Sequence, residues 1–198
     1  MSKAQRTRRD ALAGAGPIVD RARAALRRTA EQFGAVTGSD QTSVTVRTRD
    51  GIVLTLGYDP GNYVFSRVYN LRITTELPAD TPVPADLELS HRGRQGARFV
   101  RRDDRQGSLA SPVLDSMNRR IEKHLGRIDL IKADVSGPKH ARRLSLVPMG
   151  GSYVWVLIPP VFKATAFPAG EPDRILDLIR SLRTWCPAST ATDPTTRH

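Results

Sequence analysis

A chain of 198 residues with a formal charge of +11, from 31 basic and 20 acidic side chains, suits one domain that can bury a real core. Its single cysteine, Cys186, excludes an internal disulfide framework and a cysteine-based zinc site. No apolar run approaches the roughly 20 residues of a membrane helix, and no apolar h-region precedes Gly14, so the expectation is a cytoplasmic protein with no membrane span.

The charge admits two readings. A basic surface concentrates nucleic acid or another polyanion. Only five of the 31 basic residues are lysine, however, and that skew towards arginine alongside abundant alanine and glycine is also the mark of GC-rich coding. Aromatic residues make up 6% of the chain, too few for a rich base-stacking platform.

Residues 1–16 are basic, through Lys3, Arg6, Arg8 and Arg9, and carry no apolar stripe, which predicts a flexible arm. Pro17 suits the first position of a helix. Ile18, Ala22, Ala25, Leu26, Thr29 and Phe33 then fall near one face, with Arg21, Arg23, Arg27 and Arg28 elsewhere, predicting a helix from about Pro17 to Phe33 that ends at Gly34. Val36 to Thr42 reads as a polar linker. From Ser43 to Tyr58, Val44 and Val46 alternate with polar residues, Arg49-Asp50-Gly51 turns, and Ile52, Leu54, Leu56 and Tyr58 alternate back, a strong hairpin signal. Asp59-Pro60-Gly61-Asn62 reads as a second turn, and Tyr63 to Thr75 as a third strand with Tyr63, Phe65, Tyr69, Leu71 and Ile73 on one face.

Three prolines stiffen the connection from Leu77 to Ala85. Short strands are expected at 86–90 and 97–101, around a glycine- and arginine-rich loop. From His91 to Arg105 six arginines (Arg92, Arg94, Arg98, Arg101, Arg102, Arg105) face two aspartates, a local net of +4. A second helix follows, with Ser111 as N-cap, Pro112 at the first turn, a stripe of Leu114, Met117, Ile121 and Leu125, and Gly126 at its end. Ile128 to Val135 reads as a strand. Arg142 to Val161 then reads as a central hairpin: Leu144 and Leu146 alternate, Pro148-Met149-Gly150-Gly151-Ser152 reverses the chain, and Tyr153 to Ile158 returns as a strand apolar on both faces until Pro159-Pro160 stops it. A last helix starts near Glu171, buries Ile175, Leu178, Ile179, Leu182 and Trp185, and is stopped by Pro187; residues 188–198 read as a disordered tail.

These elements predict an α+β protein: one domain over residues 17–187, an antiparallel sheet of about six to eight strands, and three helices packed on it in a two-layer sandwich. No phosphate loop, dinucleotide fingerprint or nucleophile elbow is present, and the four histidines (His91, His124, His140, His198) show no metal-ligand spacing. No catalytic residue, cofactor or metal ligand is therefore assigned. The residues point to a non-catalytic binding or scaffolding role, with another protein as one class of partner. The alternative is sequence-independent binding of nucleic acid or another polyanion through Arg6, Arg8, Arg9, Arg21, Arg23, Arg27, Arg28 and the Arg92–Arg105 loop. A third reading is a small apolar ligand carrier or enzyme, with Tyr58, Tyr63, Tyr69, Tyr153 and Trp155 lining a cavity between sheet and helices.

Overall fold

The computed structural model describes residues 12, 14–62, 66–91, 96–103, 111–156 and 161–187. Among these residues three helices, α1 (Pro17–Ala30), α2 (Pro112–Leu125) and α3 (Glu171–Arg183), accompany ten strands. The strands are β1 (Ala35–Ser39), β2 (Ser43–Arg47), β3 (Val53–Asn62), β4 (Ser66–Glu76), β5 (Leu87–Ser90), β6 (Arg98–Arg101), β7 (Leu130–Ser136), β8 (Arg143–Pro148), β9 (Tyr153–Val156) and β10 (Val161–Ala164). All belong to one antiparallel sheet of order β1-β2-β3-β4-β8-β7-β5-β6, from which β9 and β10 branch at β4. The chain is an α+β protein, as its alternation implies.

Period-two patterning decides which face is buried. Val44 and Val46, Leu54, Leu56 and Tyr58, Tyr69, Leu71 and Ile73, Ala133 and Val135, and Leu144 and Leu146 form one core with the apolar stripes of the helices. Helix α1 packs on β2 and β3, while α2 packs on α3 and β6. Ser111 occupies the N-cap of α2, but its hydroxyl makes no capping bond, so Pro112 is the effective start signal. Helix α1 ends at Ala30, three residues before the expected Phe33, where tight bonds from Gln32 N–H to the Thr29 carbonyl and from Phe33 N–H to the Ala30 carbonyl close it.

The expected central hairpin is corrected. Strands β8 and β9 do not pair with each other. Both pair with β4: Ile73 opposes Leu146 in one half, and Tyr69 opposes Tyr153 in the other. Between these registers β4 advances by Asn70, Leu71 and Arg72, while its partner advances through Val147–Ser152. The Gly150-Gly151 stretch is therefore an enlarged bulge within one interrupted strand, not a reversal. Val154 is also half-buried, so β9 is not sealed on both faces. The true reversals lie on either side: β7 pairs with β8, and β9 pairs with β10.

The bulge is densely bonded. Leu71 N–H donates to the Ser152 hydroxyl at 3.2 Å, the Tyr58 hydroxyl to the Gly151 carbonyl at 3.4 Å, and Gly151 N–H to the Thr165 carbonyl at 2.8 Å. Gly151 has φ +73, and a Cβ there would lie 2.6 Å from Leu71 Cδ2 and 2.9 Å from the Phe167 ring. Phe167 in turn stands edge-on to Phe33, with ring centroids 5.7 Å apart.

Two further corrections concern polar stretches. The linker expected at Val36–Thr42 contains β1, an exposed edge strand paired with β2 and bulged between Val36 and Gly38. The turn expected at Asp59–Asn62 is the end of β3, still in register with Arg67–Asn70 of β4. At the opposite edge of the sheet the Asn118 amide of α2 accepts from Phe99 N–H and donates to the Phe99 carbonyl, both at 2.9 Å. That occupies backbone groups of β6 which an edge strand would otherwise offer to another chain.

Helix α3 is pinned to the β2–β3 turn. Arg180 Nε donates to Asp50 Oδ2 at 2.7 Å, and Thr48 Oγ1 donates to Asp50 Oδ1 at 2.5 Å. Hydrogen bonding by Arg180, then by Thr48, holds the Asp50 carboxyl far below its usual range. Asp40, in the β1–β2 turn, is lowered to about 2, chiefly by the Thr42 backbone N–H, then by the Ser43 hydroxyl and N–H.

Three outcomes follow from this packing. Gly151→Ala combines a left-handed backbone with overpacking, and should cost about 2–4 kcal/mol; urea unfolding should show a lower midpoint at unchanged slope. A depressed carboxyl contributes stability above its unfolded value, 3.8, and loses it as pH falls through the folded value. The melting temperature should therefore drop as pH falls from about 4 towards 2. Asp50→Asn should lower stability at neutral pH by a few tenths to about 1 kcal/mol, as for a partly exposed pair, and flatten that acid dependence.

Candidate functional site

The three helices share a core with one face of the sheet, and the other face carries no helix among the described residues. On that open face β2, β3, β4, β8 and β7 together form a concave groove of about 400 Å³. Its floor is built from small residues. Register places Thr45 beside Thr55, Thr55 beside Thr74, Thr74 beside Ser145, and Ser145 beside Asp134. Gly57 lies opposite Ser43 and beside Arg72, and its missing side chain deepens the hollow. Charged side chains rise around this floor: Arg72 from β4, Arg143 from β8, and Lys132 and Asp134 from β7, with Asp59 at the end of β3.

Charge and hydroxyls are arranged unevenly. Lys132 Nζ lies 3.9 Å from Asp134 Oδ1, a contact with the lysine largely in solvent. Arg72 and Arg143 are exposed, and neither makes an ion pair with a carboxylate; Glu76 stands in register with Arg143 on the neighbouring strand without reaching ion-pair contact. Thr74 Oγ1 donates to the Thr55 carbonyl at 3.1 Å. Ser145, only 9% exposed, lines the groove with a hydroxyl that bonds no protein group. The groove contains no histidine and no cysteine. The arrangement is suited to holding a polar ligand by hydrogen bonds and charge.

The arginines singled out from sequence lie elsewhere. Arg6, Arg8, Arg9, Arg92, Arg94 and Arg105 fall outside the described residues. Arg23 is committed to structure: its guanidinium donates to the carbonyls of Leu12 (2.7 Å), Gly14 (3.0 Å) and Gln41 (3.0 Å), and to Asp20 at 3.1 Å. That clamp holds Leu12, 1% exposed, against the core, inside the stretch expected to be a mobile arm. Arg27 lies 3.8 Å from Glu31, and Arg21 and Arg28 are exposed on α1. Arg98 and Arg101 are exposed on β6, and Arg102 lies 3.9 Å from Glu88. Since α1 packs on β2 and β3 while β6 stands five strands from β3, the sheet order does not bring these two groups together. The groove includes none of them, and α1 lies on the helical side of the sheet.

The aromatic residues occupy the core. Tyr58, Tyr69 and Tyr153 form a row across β3, β4 and β9 with ring centroids 6.1 and 6.2 Å apart, each at most 4% exposed. Burial, with Tyr153 nearby, pushes the Tyr58 hydroxyl well above its usual range, and burial likewise raises Tyr153. At neutral pH Tyr58 is thus a hydrogen-bond donor rather than a base. Tyr63 and the Trp155 side chain fall outside what is described. No cluster of three potential metal-ligating side chains occurs among the described residues, and no described helix is long and apolar enough to cross a membrane.

An α+β protein with helices on one face of a ten-stranded antiparallel sheet and a polar groove on the other is the class these features define. The chain belongs to the family described as protein of unknown function (DUF3156), which it matches over residues 31–186. That stretch holds every groove residue, whereas α1 and its arginines precede it. No curated protein and no solved structure matches the chain.

The two kinds of arginine are separable by experiment. Arg23→Ala removes a part-buried bond to the Leu12 carbonyl and exposed bonds to those of Gly14 and Gln41, and should cost about 1–2 kcal/mol, with faster proteolysis near Leu12. Arg27→Ala, whose one ion pair is exposed, should stay within about 0.5 kcal/mol of the parent. Chemical denaturation of both variants measures the difference.

Proposed function

We propose that this is a non-catalytic binding protein whose binding surface is the open face of the sheet, with the β2-β3-β4-β8-β7 groove at its centre. One observation carries the reading: a single sheet buries one face under helices and leaves the other concave, hydroxyl-lined and charged at its rim. A face needed only for solvation would be expected to carry long charged side chains throughout. Here small residues (Gly57, Thr55, Thr74, Ser145) sit at the centre and long ones (Arg72, Lys132, Arg143) at the margin, so ligand atoms can reach backbone and hydroxyls. The volume lies within the usual range for small-ligand sites, roughly 300–1,000 Å³. The groove's serine, Ser145, makes no hydrogen bond to the neighbouring Asp134 or Lys132, an arrangement that favours holding a ligand over attacking it.

The test is a thermal-shift screen of small polar compounds against the full chain and a Thr74→Trp variant, whose indole fills the groove floor. A ligand at about a hundredfold excess over its Kd adds about 2.7 kcal/mol to stability. Groove ligands should raise the melting temperature of the parent and leave Thr74→Trp unmoved. If every stabilising compound acts equally on both proteins, the binding surface lies elsewhere.

A further inference from the structure

Resting on the open face as the binding surface, we infer that the groove takes a small ligand through an oxyanion group, a phosphate or a carboxylate, seated over Ser145 and gripped by Arg72 and Arg143. An oxyanion needs donors converging from several sides and no competing acceptor at its centre. Arg72 on β4 and Arg143 on β8 are guanidiniums with no carboxylate in ion-pair contact, and they stand to either side of the row that contains Thr74 and Ser145. Guanidinium is the group best shaped to hold carboxylate or phosphate in a bidentate fork.

The floor supplies the second observation. Ser145 is nine-tenths buried, yet its hydroxyl has no protein partner and faces the groove. The residue is largely buried while its hydroxyl stays open to the groove, so a bound oxyanion would accept its proton in place of water. The nearest acidic group, Asp134, is in register with Ser145 but already lies beside Lys132. Lys132 thereby offsets the charge that would most directly repel an anion at this point. Glu76 stands in register with Arg143 without ion-pair contact, so the guanidinium is left available to a ligand. The one aromatic residue lining the groove, Tyr58, is 2% exposed with its ring packed on Tyr69, so it offers no face on which a base or sugar could stack, which favours the anionic group itself as the recognised feature.

The experiment is calorimetric titration of the full chain at low ionic strength with two probes, inorganic phosphate and a short dicarboxylate. The expected result is saturable binding of at least one, weakened roughly tenfold or more by Arg72→Gln and by Arg143→Gln, as loss of a charge-assisted bond implies, and unchanged by Arg27→Gln on the helical layer. Circular dichroism checks that each variant is folded. The tighter probe identifies the source of the oxyanion. Binding that survives both groove substitutions would overturn the assignment, because the anion would then sit elsewhere. Absence of binding by either probe would overturn it too. In that case a neutral ligand that stabilises the parent but not Thr74→Trp would leave the open face standing as the binding surface, whereas no such ligand would remove both.

Discussion

Strand β4 must satisfy both of its edges, and most of the structure depends on how it does so. One edge pairs with β3 from Thr74 to Arg67 without a break. The other is shared by β8 and β9, which the Gly150-Gly151 bulge sets end to end along it. Because those two strands leave β4 on different branches, the sheet divides: β7, β5 and β6 extend from β8, and β10 from β9. The bulge is tolerable only because its backbone finds other partners, in Ser152, Tyr58 and Thr165, and because Phe167 can lie against glycines that have no Cβ. Burying the core face of β4 (Tyr69, Leu71 and Ile73, all at most 4% exposed) then anchors the helices over it.

The groove is a consequence of the same arrangement. Inserting β8 and β7 beside β4 brings Ser145 and Asp134 next to Thr74, residues that are far apart in the chain. Alternation obliges every residue between two core residues to face away from the helices. Where those residues are small the surface hollows, and where they are long they fence the hollow. No reactive cluster is needed to build such a hollow.

How much of this can be read in the sequence depends on periodicity. The β2–β3 pair is legible because Val44, Val46, Leu54, Leu56 and Tyr58 alternate around Asp50-Gly51, and the stripes of α2 and α3 are legible at helical spacing. Strand β1 is not legible: it lies at the sheet edge, mostly exposed, so nothing apolar marks it. Asp59-Pro60-Gly61-Asn62 has turn composition but continues β3, because its backbone stays in register with Arg67–Asn70 of β4. The Gly-Gly bulge resembles a turn locally, and only the long-range register with β4 tells the two apart. The groove itself leaves only a faint trace, the small polar residues on the outer positions of several strands. Its assembly needs the strand order, which local pattern does not encode. Arginine abundance drew attention to residues such as Arg23, whose guanidinium in fact ties backbone carbonyls together.

The most direct measurement is a set of cross-strand nuclear Overhauser contacts on isotopically labelled protein. If β4 is flanked end to end by β8 and β9, backbone contacts will link Ile73 with Leu146 and Tyr69 with Tyr153. Backbone contacts running between Leu146 and Tyr153, with neither residue close to β4, would mean that the two strands form a hairpin on each other, and the account of both sheet and groove would fall.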